Sequence, residues 1–313
     1  MNVDFTLSKI IQADKTEMKK LAYNNGGNQN LTEEYIEHWY FNNPSNSYSL
    51  WKVLVNGAIE GFATTNNFKF YIDGKECLVA IPQNVLTSTN FRGKGLFEKL
   101  YFRTEIENIK ENKVDCFLNL WANNSMSTPI FLNKLGYSEG MCPSLLLTPF
   151  NLYDLFSKSK YERLSNLDSI KFSSIYRFNN AMEKTKAHIR WRYSKYSQEN
   201  LHVISVKEDQ KVIGYAFLKV EKREGLKILI LMDIICERAE NVPLIIDACF
   251  IYTSKNFFWG LLMFDIPFKL RKRIFQISIK ERFKFLVRGN TQEETDRLSR
   301  TKFTLFFGDL DFV

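Results

Sequence analysis

Apolar positions along the first part of the chain change period several times, and each change marks an element. Residues 32–41 carry Tyr35, Ile36 and Trp39 on one side behind a Thr32-Glu33-Glu34 start, which predicts a helix that Pro44 ends. Residues 49–55 are an apolar extended run, Asn56-Gly57 is a turn, and a second run ends in Gly61-Phe62-Ala63. After a turn at Asp73-Gly74, residues 76–87 read as a long strand. The period becomes helical again at Gly95, with Leu96, Leu100, Phe102 and Ile106 expected inward on a helix running towards Asn108. Residues 115–121 read as a buried strand, and 129–135 as a short helix closed by Gly136.

The second half repeats this opening. Ile189-Arg190-Trp191-Arg192-Tyr193 is similar to Ile36-Glu37-His38-Trp39-Tyr40, and an apolar strand over 202–206, a polar turn and Gly214-Tyr215-Ala216 follow. Trp39 and Gly61 are 22 positions apart, Trp191 and Gly214 are 23, so order and spacing agree together. Two copies of one fold are expected, over residues 1–150 and 175–313, with a linker between Pro149 and Ile175.

Composition narrows the class without naming a chemistry. The 313 residues are 45% hydrophobic and 25% charged, which is a folded protein of two ordinary domains. The net charge of +8 suits anionic small molecules. The densest basic cluster, Lys269, Arg271, Lys272 and Arg273, then Lys280, Arg282, Lys284 and Arg288, alternates with Phe and Ile. It fits a solvated amphipathic face at least as well as a nucleic-acid groove, and no nucleic-acid partner is expected. Cys77, Cys116, Cys142, Cys236 and Cys249 form no CxxC pair and read as free thiols, and three scattered histidines give no support to a metal site. A polar N-terminus and apolar runs well under about 20 residues lead to the expectation of a cytoplasmic protein with no membrane partner.

Chemistry concentrates at Arg92-Gly93-Lys94-Gly95-Leu96-Phe97, where a strand passes through a short turn into a helix. Backbone N–H groups at a helix start are unpaired and sit at the positive end of its dipole, so they hold a pyrophosphate well. Glycine lets that backbone approach the anion, and Arg92 and Lys94 add charge. Neither the Walker pattern nor the dinucleotide GxGxxG is present.

These residues resemble the Q/R-x-x-G-x-G/A signature of the GNAT acyltransferase superfamily, with Phe97 in place of its last small residue. Asn119 to Asn124 is similar to the family's fifth strand and Asn-rich turn, and Phe131-Leu132-Asn133-Lys134-Leu135-Gly136-Tyr137 to its closing helix. The resemblance covers roughly residues 3 to 140. It implies an α+β fold of two GNAT-like domains, each a mixed, mostly antiparallel twisted sheet flanked by helices. It also implies an acyl-coenzyme A site in the first domain, formed by Val85, Leu86, Thr87, Arg92, Gly93, Lys94, Gly95, Leu96, Phe97, Asn124 and Phe131. Leu132 stands where many members carry a Tyr general acid. The second copy has Cys236-Glu237-Arg238-Ala239 at the equivalent place, so one cofactor per chain is expected, with the second domain contributing to the acceptor site.

Candidates for the remaining roles are fewer. Asp233 lies in an apolar run and needs a partner or a raised pKa, as a general base or as a structural carboxylate. Gln83 and Asn84 precede the loop and serve either the acceptor or the strand, Asn84 being the second catalytic candidate. Trp121, Tyr71 and Phe68 offer stacking surfaces, Trp121 being taken as a substrate residue, although aromatics are so common here that core packing is the first expectation for them. His38 and His188 read as packed or surface residues, and His202 as exposed. Asp309, Asp311 and the carboxylate of Val313 form an acidic end.

The resemblance extends to tandem-GNAT proteins, including two-domain N-acyltransferases acting on nucleotide-linked amino sugars in surface-polysaccharide (lipopolysaccharide or O-antigen) biosynthesis. The expected reaction is acylation of the amine of a dTDP-type amino deoxy sugar by direct attack on the thioester. A peptide, protein N-terminus or polyamine acceptor, and a non-catalytic acyl-coenzyme A sensor, are the alternatives.

Overall fold

The computed structural model describes residues 4–158, 160–171, 174–270, 276–279 and 283–310. The first elements in chain order are β1 (Thr6–Lys9), α1 (Lys15–Asn24), α2 (Glu33–Ile36), β2 (Tyr48–Val55), β3 (Ala58–Ile72) and β4 (Lys75–Thr87). Next come α3 (Leu96–Lys110), β5 (Cys116–Ala122), α4 (Thr128–Lys134), β6 (Ser138–Glu139), β7 (Leu145–Pro149), α5 (Leu152–Leu155) and β8 (Lys160–Leu164). The rest are β9 (Ala181–Met182), α6 (Lys186–Tyr193), β10 (Leu201–Glu208), β11 (Lys211–Arg223), β12 (Leu226–Cys236), α7 (Asn241–Lys255), β13 (Gly260–Phe264), β14 (Ile277–Ile279), β15 (Lys284–Gly289) and α8 (Gln292–Ser299).

The chain divides into two compact units, each with its own mixed sheet. Unit 1 comprises Met1–Phe70, Lys75–Met141 and Phe283–Thr301; unit 2 comprises Tyr71–Gly74, Cys142–Arg282 and Lys302–Val313. This differs from a division into 1–150 and 175–313. Pro149 ends a strand of unit 2, and β8 pairs with β10, so much of the expected linker is woven into the second sheet. Residues 283–301 return to unit 1, where β15 lies between β5 and β6.

The sheet of unit 1 runs β1-β2-β3-β4-β5-β15-β6. Its pairs are antiparallel along β1-β2-β3 and on both sides of β15, and β4 pairs with β5 in parallel. The sheet of unit 2 runs β14-β7-β13-β12-β11-β10-β8, again with one parallel pair, β12 with β13. Gly61 and Gly214 hold the same place in the two units. A Cβ on Gly61 would come within 2.9 Å of the Leu86 carbonyl on β4, and one on Gly214 within 2.6 Å of the Ile235 carbonyl on β12. Both strands approach too closely for any side chain, which is why the Gly-aromatic-Ala pattern recurs.

Local chemistry explains the helix boundaries. Thr32 caps α2 by accepting the Tyr35 N–H at 3.1 Å, and the segment continues as a π-type turn, Glu37–Phe41. Thr185 caps α6 in the same way, from His188 N–H at 3.0 Å.

The face of α3 that meets the core is a correction to the periodicity. Leu96, Leu100, Tyr101, Thr104, Glu105, Glu107 and Asn108 are buried, whereas Phe102 and Ile106 are 44% and 42% exposed. Buried polar groups on this face find partners. Glu107 accepts from Ser49 Oγ at 2.6 Å and Trp51 Nε1 at 2.5 Å, and Asn108 bonds Asn67 and Thr65 at 2.9 and 2.7 Å. Reading phase from apolar residues alone therefore rotates the helix.

Candidate active site

In unit 1, β4 and β5 are paired in parallel only at Val79 with Cys116 and Ala80 with Phe117. Both strands continue, to Thr87 and Ala122, past that point. Pro82 has no N–H to offer a neighbour, and Asn84 takes φ +37°, so the ladder is interrupted where the strands part. Gln83, Asn84, Val85, Leu86 and Thr87 all lie beyond the last pair. An extended chain can lie in such a gap against backbone groups that no strand uses.

The loop at the end of β4 is held from below. Arg92 donates from Nη2 to the Asn25 carbonyl at 2.6 Å and from Nε to the Thr87 carbonyl at 3.3 Å, while Asn25 Oδ1 accepts the Thr89 N–H at 2.7 Å. Gly93 and Gly95 take φ +74° and +73°, a conformation that disfavours side chains, and open space lies where a Cβ would sit on either. Leu96 then buries itself and starts the 15-residue helix α3, aiming its first-turn N–H groups at this space. Glu98 in that turn is drawn aside by Lys134 at 2.5 Å, and Lys94 Nζ rests 4.6 Å from the centre of the Phe91 ring. The residues present fit a pyrophosphate: unpaired amides, no Cβ, and cations at the corner.

A neutral hydrogen-bond array lies behind the gap. Gln83 Oε1 accepts from Trp39 Nε1 at 2.5 Å and Asn66 Nδ2 at 2.9 Å. Asn84 donates to the Tyr40 hydroxyl at 2.7 Å and accepts from Asn28 at 3.2 Å, and Thr64 donates to the Gln83 carbonyl at 2.6 Å. Sequence reasoning passed over Tyr40, Asn28 and Asn66; the signal was the polar run Thr64-Thr65-Asn66-Asn67 inside a strand, all four fully buried.

Other expected site residues are placed differently. Phe131 is a core residue, edge-on to Phe97, Tyr101 and Tyr137, so it supports Phe97 and offers little free surface. Asn124 accepts the N–H groups of Met126 and Ser127 at 2.8 and 3.0 Å and shapes the turn before α4. Trp121 stacks on Phe283 with centroids 3.6 Å apart, and Leu132 packs against the core of unit 1. The Tyr101 and Tyr137 hydroxyls share a 2.6 Å hydrogen bond, and burial raises both pKa values well above the usual tyrosine range. Phe68 is buried and Tyr71 half-buried.

Unit 2 has the same parting strands without a cradle. β12 and β13 pair in parallel at Leu229 with Leu261 and Ile230 with Leu262. The chain then passes through Glu237-Arg238-Ala239-Glu240 into α7, with no glycine. The last described segment lies against both strands: Phe307 stacks on Phe264 of β13, and Asp309 shares Lys184 with Asp233 of β12. A Cβ on Gly308 would fall on the Asp233 carboxylate and the Tyr193 hydroxyl.

Asp233 is thus fully buried in an ion cluster, 2.9 Å from Lys184 Nζ and bonded by the Tyr193 hydroxyl. Burial with a paired cation and a hydroxyl donor is what a structural carboxylate requires. Arg192 clamps the same segment, donating to the Gly308 and Leu310 carbonyls at 2.9 and 2.7 Å. Asp311 and Val313, and Arg271, Lys272, Arg273, Lys280 and Arg282 of the basic cluster, lie outside the described residues.

Of the histidines, His38 is half-buried and His188 is buried edge-on to Trp191, its pKa pushed well down by burial and by Lys184 and Arg192. His202, expected exposed, is buried: its Nδ1 meets the Tyr252 hydroxyl at 2.9 Å, and burial lowers its pKa to about 4. The alternation along β10 fails here because α7 covers that face. The five cysteines are free, and among the described residues no three His, Cys, Asp or Glu side chains are grouped to hold a metal ion. No helix among the described residues is long and apolar enough to cross a membrane.

No protein-family model matches the chain, and no curated protein matches it by sequence. Solved structures match its fold. A GCN5-related N-acetyltransferase from Anabaena variabilis superposes with a TM-score of 0.68 at 11% identity, over 95% of this chain and 75% of its own. One from Kribbella flavida gives 0.64 at 12% identity, over 95% and 74%. A conserved protein of unknown function from Enterococcus faecalis gives 0.64 at 11% identity, over 91% and 73%. The fold is therefore a tandem GNAT fold, in agreement with the repeat and the loop.

Proposed function

We propose that the chain is an acyl-coenzyme A-dependent N-acyltransferase with one cofactor site, in unit 1. The observation that carries this reading is the junction of two features: strands that part after two pairs, and a glycine-opened helix start at the end of one of them. The amides of α3 and Arg92 would hold the pyrophosphate, and residues 83–87 would flank the pantetheine arm. The bound thioester supplies an activated acyl carbon. The acceptor amine attacks it, the C–S bond breaks, and the amine proton leaves to solvent as coenzyme A departs. With Leu132 in place of an acid, the thiolate leaves unassisted, which a thiol of pKa about 8.5 permits.

The proposed acceptor is a nucleotide-linked amino deoxy sugar of the dTDP type, met in the cytoplasm. Asn84, the half-buried member of the neutral array, suits a sugar hydroxyl, and the net charge of +8 suits two diphosphate-bearing substrates. Gly95→Asp tests the cofactor site by setting a carboxylate against the pyrophosphate. Calorimetry should show coenzyme A binding to the wild type and at least about a hundredfold weaker binding to the variant. Thiol release from acetyl-coenzyme A should depend on added amino sugar; release from none of a panel of amino sugars and simple amines would refute the enzymatic reading.

A further inference from the structure

One end of the second sheet carries an exposed aromatic cluster that no part of the cofactor site uses. Tyr153 is 75% exposed, Phe156 85% and Phe257 77%, with Leu152, Trp259 and Leu226 also exposed. Three chain segments bring them together. Phe150 stacks near Phe257 with centroids 6.3 Å apart, its N–H donates to the Trp259 carbonyl at 2.8 Å, and the Trp259 N–H donates to the Lys227 carbonyl at 2.8 Å. Side chains of this size are not left in water without a use when they are contiguous.

Phe257 is placed against its own backbone preference. It follows the last turn of α7 at φ +56°, with its N–H bonded to the Ser254 carbonyl and the next N–H to the Thr253 carbonyl. That is the left-handed helix-ending position that glycine fills, and a bulky aromatic there is an outlier. The strained residue is also one of the most exposed, so packing does not explain it.

The charges around the cluster decide its occupant. Lys158 follows Phe156, Lys255 precedes Phe257, and Lys222, Arg223 and Lys227 stand on the adjoining hairpin, against one exposed acid, Glu224, with Asp154 buried. Two copies meeting through this face would bring like charges together. An anionic lipid surface would receive both the cations and the amphipathic rings.

We infer that this end of unit 2 is a peripheral docking surface for an anionic lipid bilayer, with Tyr153, Phe156, Phe257 and Trp259 entering the headgroup region. It needs no spanning helix, and it stands apart from the proposed transferase activity.

Co-sedimentation of the full chain with extruded vesicles tests it. Vesicles containing about 30 mol% phosphatidylglycerol should bind at least about tenfold more tightly than phosphatidylcholine alone, and binding should fall as NaCl rises from about 0.1 to about 0.5 M. Phe257→Gly should weaken binding several-fold without lowering the melting temperature, since glycine suits that backbone. Lys158→Glu with Lys227→Glu should abolish the preference for anionic lipid. Equal or absent binding to both vesicles would overturn the proposal, as would wild-type binding by Phe257→Gly. So would a dimer by light scattering that Phe156→Ser and Phe257→Gly convert to a monomer.

Discussion

Lys184 is paired with both Asp233 and Asp309, and all three side chains are buried. Removing one member of such a cluster leaves uncompensated charge in a low dielectric. Lys184→Met should therefore cost about 3–5 kcal/mol near neutral pH. The pH dependence follows from Asp309, whose pKa is raised by burial, with the Asp233 charge adding and Lys184 opposing. A carboxyl whose folded pKa lies above its unfolded value favours folding below that pKa and loses the advantage as pH rises. Without Lys184 the largest opposing influence is gone and only the Phe306 N–H remains to hold the pKa down, so the variant's deficit in melting temperature should be smaller at pH 5 than at pH 7. An equal deficit at both would show that Lys184 does not hold down the Asp309 pKa in solution. The need for a partner was legible in the sequence, since Asp233 sits in an apolar run. Which residue supplies it was not, because Lys184 and Asp309 approach only through the fold.

Elements were legible where apolar period and turn chemistry agree, as at β4, the glycine loop and the start of α3. They were misread where burial comes from a neighbour across the sheet. Phe102 and Ile106 set the wrong phase for α3 because Glu107 and Asn108 bury polar groups with partners on β2 and β3. His202 is the counterpart on β10, where α7 covers a histidine that alternation leaves in solvent. Its consequence is measurable. With a folded pKa of about 4 against an ordinary value of 6.5, His202 is neutral in the fold and takes a proton more readily when unfolded. Stability should fall as pH drops from about 6.5 towards 4, and His188, also pushed down, acts in the same direction. His202→Gln can keep a bond to Tyr252 and should flatten the slope of melting temperature against pH over that range. An unchanged slope would assign the acid sensitivity to His188 or the carboxylates.

At the scale of the whole molecule, the repeat was legible because Gly61 and Gly214 answer the same steric demand in each unit. The crossing of the chain between units was not, because strand pairing at long sequence distance leaves no local mark. β15 sits between β5 and β6, and Phe285, Leu286 and Val287 are fully buried there. Burying three such side chains contributes roughly 5–9 kcal/mol at about 1.5–3 kcal/mol each. That is comparable with the roughly 5–15 kcal/mol that holds a whole domain folded. A chain ending at Arg282 would also leave the inner edge of β5 open, with Cys116, Phe117 and Leu118 facing no strand. Residues 1–282 should therefore not yield a folded unit 1, even though every residue of the glycine loop is present. Co-expression with a 283–313 peptide should recover part of the soluble protein. Coenzyme A binding by residues 1–282 alone, with a cooperative melt, would show that β15 is dispensable. The cofactor loop and the strand that stabilises its sheet would then be separable, contrary to a unit closed by residues nearly 200 positions downstream of that loop.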